Sequence, residues 1–151
     1  MADVISFDMG GTTAKACLIQ GGKVAVAPKI EAGRVHRFKA GSGLPIKAPV
    51  VDMIEVGAGG GSVARVDQLG LLKVGPGSAG AEPGPACYGL GGGEPTVTDA
   101  NVILGYLNPK FLVGGELTLQ PEKSRAVFQE QIAKPMELDV CLLYTSPSPR
   151  D

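Results

Sequence analysis

The order of apolar segments along the chain predicts an α/β fold. Short, partly β-branched apolar runs of strand length occupy much of residues 4–56, and two segments of helical character lie in the last third. Between them, glycine takes 13 of the positions 57–93, a density that suits neither an ordinary helix nor an ordinary sheet. The 151 residues are enough to bury one sizeable core. We therefore expect one α/β domain that carries a long glycine-rich loop.

The first predicted element is a strand–turn–strand unit over residues 4–19. Its apolar runs, residues 4–7 and 16–19, flank a polar turn in which Gly10 and Gly11 let backbone N–H groups approach an anion closely. Asp8 ends the first strand, where its carboxylate could hold Mg²⁺ or another divalent metal. The turn is thus predicted to hold a phosphate group.

Two other phosphate-binding motifs fit the sequence less well. A P-loop needs a glycine before its lysine and a helix after it, whereas Lys15 follows Ala14 and precedes a strand. Residues 59–64 satisfy the dinucleotide-binding fingerprint only in its loose G-x-G-x-x-A form, and Gly70 interrupts the segment that should form the helix. Neither motif accounts for the chain.

Further strands are predicted over residues 23–30 and 50–56, with a polar link to about residue 48 between them. Within the glycine-rich region, residues 63–66 and 71–74 are typical of a hairpin, and Asp67 belongs to its turn. A long loop with apolar pieces and close-packing glycines favours a functional segment over a disordered one.

Two helices are predicted after the glycine-rich region. The first is capped by Thr98, carries Asp99 in its first turn, is apolar nearly all round and ends at residues 108–109. The second begins with Pro121 at its first position and runs to about residue 133, before Pro135.

Composition excludes several functional classes. A net charge of -1 and an isoelectric point near 5.8 give no electrostatic basis for binding nucleic acid or an anionic membrane. No apolar run has the length of a membrane span, and the N-terminus lacks a signal-peptide pattern. The cysteines, Cys17, Cys87 and Cys141, form no C-x-x-C pair, which favours a reducing cytoplasm. The single histidine, His36, is interpreted as a loop residue and not as a ligand.

Residues 141–151 differ from the rest of the chain. They do not continue the periodicity of the preceding helix, and they resemble the translated read-through of a sequencing-library adapter. We expect a non-native tail here, a native part that comprises residues 1–140, and truncation at the C-terminal end.

Four stretches resemble the hydantoinase A/5-oxoprolinase family, which includes the acetone and acetophenone carboxylase subunits. These stretches together span most of residues 4–120, and a run of this length is far more specific than one short glycine motif. They are residues 7–15 (FDMGGTTAK), 55–62 (EVGAGGGS), 74–89 (VGPGSAGAEPGPACYG) and 95–101 (PTVTDAN).

The resemblance implies an ATP-dependent enzyme with the actin-like, ribonuclease-H-like ATPase architecture. Its substrate would be a cyclic amide of the hydantoin, N-methylhydantoin or 5-oxoproline type or, in the carboxylase branch, a ketone. Family members are much longer and carry the D-x-G-G-T hairpin twice, and the copy here resembles the second. The resemblance also implies a hydantoinase B-like subunit or domain as partner, Met1 as an internal start, and a fragment that does not turn over substrate alone.

Site residues follow from the hairpin and from the resemblance together. The backbone of Gly10 and Gly11, the hydroxyls of Thr12 and Thr13, and Mg²⁺ near Asp8 could position and neutralise the phosphates of ATP.

Several other assignments stay open at this point. Lys15 could neutralise a phosphate or lie in solvent, and Asp99 could be a general base or metal carboxylate or only cap its helix. Gly59, Gly60 and Gly61 could line the nucleotide or substrate cleft or serve close backbone packing.

Two further residues bear on the interpretation. Cys87 is interpreted as a packed thiol, and Leu90 stands where a basic residue is expected, which weakens an anion-binding role for the second glycine turn.

The alternatives to a lactam hydrolase are a subunit of an ATP-dependent ketone carboxylase, a sugar kinase-like or other actin-like ATPase, and a non-catalytic fragment. The actin-like ATPase alternative leaves residues 74–101 unexplained.

Overall fold

The computed structural model describes residues 3–33, 35 and 41–138. The chain divides into two compact units, a first unit of residues 1–8 and 14–56 and a second unit of residues 9–13 and 57–151. His36 and the predicted tail, residues 141–151, lie outside the described residues. Strands in both units and helices in the second confirm the α/β prediction. No helix among the described residues is long and apolar enough to cross a membrane.

The first unit is centred on β2, the second strand of the chain. β1 (Val4–Met9) pairs with β2 (Ala14–Gln20), as the predicted hairpin requires. On β2, residues 14–17 pair with β8 (Met53–Val56) and residues 19–20 with β3 (Lys23–Val24), both antiparallel.

The remaining strands of the first unit are shorter than the sequence suggests. The predicted strand over residues 23–30 is broken into β3, β4 (Val26–Ala27) and the start of β5 (Ile30–Ala32). The predicted polar link contains β6 (Leu44–Ile46), which pairs with β5. β7 (Val50–Val51) pairs with β4, and the break before β8 occurs at Asp52, whose N–H donates to the Ala25 carbonyl.

The first unit buries few of its apolar side chains. Among its described residues only Ala14 is fully buried, and Ile5 and Phe7 are 73% and 66% exposed. The one sizeable core that the composition predicts therefore lies in the second unit.

The second unit begins with a hairpin, as predicted. β9 (Ser62–Val66) and β10 (Leu72–Ser78) are antiparallel, with Val66 opposite Leu72. The Asp67 carboxylate accepts hydrogen bonds from the N–H groups of Leu69 and Leu71, both at 2.9 Å. The Leu71 hydrogen bond, together with that from Leu69 and the nearby positive charge of Lys73, lowers the pKa of Asp67. Its predicted place in the turn is confirmed.

The first helix, α1 (Val97–Ile103), is shorter than predicted and is capped by a different residue. Thr96, and not Thr98, is the N-cap. The helix ends near Leu104 because Gly105 adopts φ +76°, and the N–H groups of Gly105 and Tyr106 close the end onto the carbonyls of residues 102 and 101. Tyr106 is 76% exposed, so the expected continuation as a buried helix to residue 108 is wrong.

The second helix begins as predicted and ends later. α2 (Pro121–Phe128) has its proline in the first turn and continues through a π-helical turn, Gln129–Ala133, into α3 (Lys134–Met136). The N–H of Lys134 donates to the Gln129 carbonyl, five residues back. This wider turn leaves room for the Pro135 ring, which would collide with the preceding turn of a regular α-helix. Glu137, at φ 53°, ends the helix.

Two hydrophobic clusters form the core of the second unit. The first joins β9 to the α2–α3 helix through Ala64, Phe128, Ile132 and Ala133. The second joins the 3₁₀ turn Ala86–Tyr88 to α1 through Cys87, Val102 and Leu119. Both clusters pack against α1, since Ile103 contacts the first and Val102 belongs to the second. Both clusters therefore hold α1 in the core of the second unit.

Candidate functional site

The turn of residues 10–13 lies against the glycine segment 59–61 in the second unit. The turn closes on itself through a 2.9 Å hydrogen bond from the Gly10 N–H to the Thr13 carbonyl. The N–H of Gly60 donates to the Gly10 carbonyl at 2.9 Å, and the N–H of Gly61 donates to the Gly11 carbonyl at 2.7 Å. Two successive carbonyls of the turn are thus bound by two successive amides of the segment.

This arrangement fixes the direction of the amides in the turn. A trans peptide is planar, so its N–H points opposite to its C=O. Because the Gly10 and Gly11 carbonyls point at the segment, the N–H groups of Gly11 and Thr12 point away from it. Within the described residues, the N–H groups of Gly11, Thr12 and Thr13 and the two threonine hydroxyls have no hydrogen-bond partner. Gly11 and Thr12 are exposed, so this group of donors is accessible to an anion.

The segment 59–61 can approach the turn only because its residues lack side chains. A Cβ on Gly59 would lie 2.5 Å from the Thr12 nitrogen and 2.6 Å from the Gly11 carbonyl carbon and oxygen. A Cβ on Gly61 would lie 2.8 Å from the Ser78 Oγ and 2.9 Å from the Gly11 oxygen. Close backbone packing, one of the two roles left open, is present at these glycines. Their assignment to nucleotide binding stays a prediction.

Ser62 and Ala79, the residue that follows β10, form further hydrogen bonds to the same segment. The buried Ser62 Oγ accepts a 3.0 Å hydrogen bond from the Gly59 N–H, and the Ser62 N–H donates to the Gly59 carbonyl. The N–H of Ala79 donates to the Gly61 carbonyl at 2.8 Å. These hydrogen bonds fix the first and the last residue of the segment, Gly59 and Gly61.

Thr98 connects the segment to α1. Its N–H donates to the Gly60 carbonyl at 2.7 Å, and its side chain, 8% exposed, packs over the Cα of Gly60. Sequence reasoning used Thr98 only as a helix cap and missed this contact. The T-x-T-D pattern of residues 96–99 could have indicated it, because a Thr96–Asp99 capping box leaves Thr98 in the first turn with its N–H free.

Asp99 is fully buried, and its carboxylate accepts five hydrogen bonds. The donors are the N–H groups of Ala86, Cys87 and Thr96 and the hydroxyls of Thr96 and Ser124, at distances from 2.7 to 3.2 Å. The carboxylate therefore joins the 3₁₀ turn, the start of α1 and the start of α2. The capping role is present, and the assignment as general base or metal carboxylate stays a prediction.

The thiol of Cys87 lies beside this carboxylate and is fully buried. Burial, together with the negative charge of Asp99, raises the pKa of Cys87 to about 12. A thiol of this kind is protonated near neutral pH, and only a thiolate is a good nucleophile. These observations support the interpretation of Cys87 as a packed residue.

The charged candidates of the hairpin, Asp8 and Lys15, belong to the first unit. Asp8 is exposed on β1 and has no hydrogen-bond or ion-pair partner among the described residues. Lys15, on β2, lies 3.7 Å from a carboxylate oxygen of Glu55 on β8, and both side chains are about half exposed. An exposed pair of this type contributes little to stability, so Lys15 remains available to another anion.

The donors of the turn have the chemistry that a phosphate needs, and Asp8 supplies a carboxylate of the kind that binds magnesium; both assignments stay predictions. Consecutive backbone N–H groups with hydroxyls beside them are the chemistry that phosphate oxygens need. Mg²⁺ in nucleotide sites is held by one or two carboxylates plus phosphates and water, so a single free carboxylate suffices. No group of three or more His, Cys, Asp or Glu side chains that could hold a metal ion occurs among residues 3–33, 35 and 41–138.

Comparison with known protein families identifies the chain. The model of the hydantoinase/oxoprolinase family matches residues 1–144. The chain belongs to this family. The match extends four residues past the boundary predicted at residue 140, and the non-native origin of the tail stays a prediction.

Two relatives within the hydantoinase/oxoprolinase family are closely similar over nearly the whole chain. The caprolactamase subunit alpha of Pseudomonas jessenii is 42% identical over 91% of this chain and 18% of its own length. The acetophenone carboxylase gamma subunit of Aromatoleum aromaticum is 40% identical over 91% of this chain and 18% of its own length.

Solved structures of family members have the same fold in this region. A nucleotide-free acetone carboxylase matches with a TM-score of 0.73 and 32% identity, over 91% of this chain and 18% of its own. The ATP-dependent caprolactamase of Pseudomonas jessenii matches with a TM-score of 0.71 and 41% identity, over 93% of this chain and 19% of its own. The chain spans about a fifth of the length of the relatives it matches.

Proposed function

We propose that this chain supplies part of the nucleotide site of an ATP-dependent enzyme that opens a cyclic amide. The observation that carries the proposal is the row of unpartnered N–H groups at Gly11, Thr12 and Thr13, of which the glycine segment 59–61 directs the first two away from itself. Membership of the hydantoinase/oxoprolinase family supports it, since a relative that is 41% identical is an ATP-dependent caprolactamase.

ATP, when bound, supplies a phosphoryl group that can convert the unreactive carbonyl oxygen of a lactam into a leaving group. The chain's own contribution is positioning and neutralisation of charge. The N–H groups of Gly11 and Thr12 would donate to phosphate oxygens, and the Thr12 and Thr13 hydroxyls would add donors beside them. Gly10 acts through its carbonyl, which holds the turn in place.

In this proposal, the negative charge of the phosphates is neutralised with the help of Asp8 and Lys15, the two charged candidates of the first unit. Asp8 would hold Mg²⁺, whose charge offsets that of the phosphates, and Lys15 would exchange its exposed partner Glu55 for a phosphate. The glycine segment, Gly59, Gly60 and Gly61, contributes to nucleotide binding by holding the turn in place. Asp99 serves it through the folded core, because all the hydrogen bonds of its carboxylate go to groups of the second unit.

The architecture and the partner belong to the same proposal. We assign the chain to an actin-like, ribonuclease-H-like ATPase domain and expect a hydantoinase B-like subunit or domain beside it. The names of the relatives support a multi-subunit enzyme, because both the caprolactamase and the acetophenone carboxylase matches are named as subunits.

A ketone carboxylase is the second candidate function. The specific observation that favours it is the likeness to a carboxylase structure, with a TM-score of 0.73, together with 40% identity to the acetophenone carboxylase gamma subunit. Both functions would use the same phosphate-binding turn, so only the substrate distinguishes them.

Nucleotide binding can be tested directly on the chain of 151 residues. A ¹⁵N-labelled sample is titrated with ATP and magnesium, and the amide resonances are followed by NMR. We expect the largest shifts at Gly11, Thr12 and Thr13, and smaller ones at Gly60 and Gly61, which bind the turn through its carbonyls. If the three turn amides do not respond while ATP reaches millimolar concentration, the nucleotide site is not here.

The reaction can be tested with two chimeras. Residues 4–138 replace the matching segment of the caprolactamase subunit alpha in one and of the acetophenone carboxylase gamma subunit in the other, each assembled with its own partner subunits. ATP-dependent ring opening by the first chimera and loss of activity in the second support the hydrolase. The opposite outcome supports the carboxylase.

A further inference from the structure

We infer that Thr98 is a positioning residue for the phosphate-binding turn, acting through Gly60 without contacting the nucleotide. The inference rests on the proposed function of the turn and adds to it a residue that couples the core of the second unit to the ligand. The argument follows one chain of contacts, from α1 through Thr98 and Gly60 to Gly10.

The contacts form an unbroken backbone path. The Thr98 N–H binds the Gly60 carbonyl at 2.7 Å, and the Gly60 N–H binds the Gly10 carbonyl at 2.9 Å. The peptide that carries the Gly10 carbonyl also carries the Gly11 N–H, which is the first donor of the turn. Any displacement of Gly60 therefore rotates or shifts the peptide that presents this donor.

The Thr98 side chain sets how closely Gly60 approaches α1. A Cβ on Gly60 would lie 2.6 Å from the Thr98 Oγ1, and its next neighbours, the Gly10 oxygen and the Thr98 Cβ, would both be 3.9 Å away. A single atom, the Thr98 hydroxyl oxygen, is thus the obstacle at this position. Gly60 has no positive φ, so its backbone conformation accepts a side chain.

Thr98 cannot easily yield to such a side chain. Its side chain is β-branched, which restricts χ1 in a helix, and it is buried at the N-terminus of α1. The Asp99 carboxylate next to it holds that N-terminus with bonds to three elements of the structure. We therefore expect the glycine segment, which has no side chains of its own to anchor it in the core, to be the part that moves.

A set of four variants tests the inference. Gly60→Ala introduces the collision, Thr98→Ala removes the obstructing oxygen, and the double variant combines them. Gly60→Ala with Thr98→Val is the matched control, because valine keeps a γ-branch that a Cβ at position 60 would still meet. Affinity for ATP with magnesium is measured by titration, and the NMR shifts of Gly11 and Thr12 report the geometry of the turn.

We expect Gly60→Ala to weaken ATP binding by about tenfold or more and to shift the Gly11 and Thr12 resonances in the absence of ATP. Thr98→Ala in the double variant should restore both properties to within about threefold of the original chain, and Thr98→Val should not. Wild-type affinity in Gly60→Ala, or failure of Thr98→Ala to restore it, overturns the inference.

The same variants give a different result if the proposed function, and not the coupling of Thr98 to Gly60, is wrong. If the original chain binds no ATP, the nucleotide site is disproved, and the coupling is then read from the resonances of residues 11–12 and the melting temperatures. Additive effects of Gly60→Ala and Thr98→Ala on both measurements would overturn the coupling itself.

Discussion

The hydroxyl of Ser124 donates a 2.8 Å hydrogen bond to the carboxylate of Asp99, which lies 25 residues earlier in the chain. Both side chains are fully buried. The bond ties the start of α2 to the start of α1, while the other donors to Asp99 come from α1 itself and from the 3₁₀ turn at Ala86–Tyr88. A buried carboxylate is costly unless donors surround it, and here five do.

Asp99→Asn should destabilise the second unit by about 2–5 kcal/mol. Asparagine offers one acceptor oxygen, and its NH₂ group would face N–H and O–H donors that the second carboxylate oxygen now satisfies. Ser124→Ala removes one of the five donors and should cost about 1–2 kcal/mol. Urea unfolding measures both changes. Because the residues are in contact, the double variant should cost less than the sum, and a simple sum would contradict this account.

Gly11→Ala should separate nucleotide binding from stability. A Cβ at Gly11 would meet no atom within 4 Å and requires no positive φ, so the melting temperature should hardly change. The added methyl group stands beside the Gly11 and Thr12 N–H groups and should reduce affinity for ATP with magnesium about tenfold or more. Gly93→Ala is the control, because position 93 is equally open and lies outside the turn. Equal affinities of the two variants would refute the proposed role of the turn.

Gly59→Ala should be the most damaging change in the glycine segment. Its Cβ would lie 2.5–2.6 Å from three backbone atoms of residues 11 and 12, which no side-chain rotation can relieve. We expect a loss of about 2–4 kcal/mol in unfolding free energy. Thermal and urea unfolding measure it, with Gly93→Ala again as the reference. Unlike Gly60→Ala, this variant should not be rescued by Thr98→Ala.

Cys87 should make stability fall at alkaline pH. Its pKa is about 12 in the folded chain, against an ordinary value of 9.0, so the folded state keeps the proton that the unfolded state releases. Unfolding free energy should therefore be unaffected by Cys87 below pH 9 and fall between pH 9 and 12, by up to about 1.4 kcal/mol per pH unit.

Cys87→Ala isolates this contribution, because the cavity that it leaves costs the same at every pH. The stability difference between the original chain and the variant should shrink as the pH rises above 9. A difference that stays constant from about pH 8 to about pH 11 would show that the thiol titrates normally.

Local turn chemistry made part of the fold predictable. Two hairpins, the first one of the chain and that of β9 and β10, follow from β-branched runs separated by glycine and aspartate. The place of Asp67 in the turn between β9 and β10 follows from the same pattern. The start of α2 at Pro121 follows from the fixed φ of proline.

Other elements depend on geometry that a linear pattern does not contain. Gly105 stops α1 before the apolar residues 106–107, because a left-handed residue outweighs the apolar periodicity that suggested a longer helix. Pro135 does not stop the second helix, because a π-helical turn accommodates its ring.

The same limit applies to the candidate site. The glycines at residues 10–11 and 59–61 drew attention to both segments of the contact. Which carbonyl accepts from which amide depends on how the chain folds and could not be predicted from the sequence. Thr98 was missed as a partner because a threonine at a helix start is expected as a cap, and nothing in the sequence around Ser124 marks it as a partner of Asp99. Their contacts with Gly60 and Asp99 join residues 38 and 25 positions apart.

The close approach of Thr98 to Gly60 also has an evolutionary consequence. Among natural homologues, the residues aligned with these two positions should covary: an alanine at the position of Gly60 should be accompanied by a residue without a γ-atom at the position of Thr98. A homologue that combines the larger residue at both places would have to have shifted its glycine segment away from the helix.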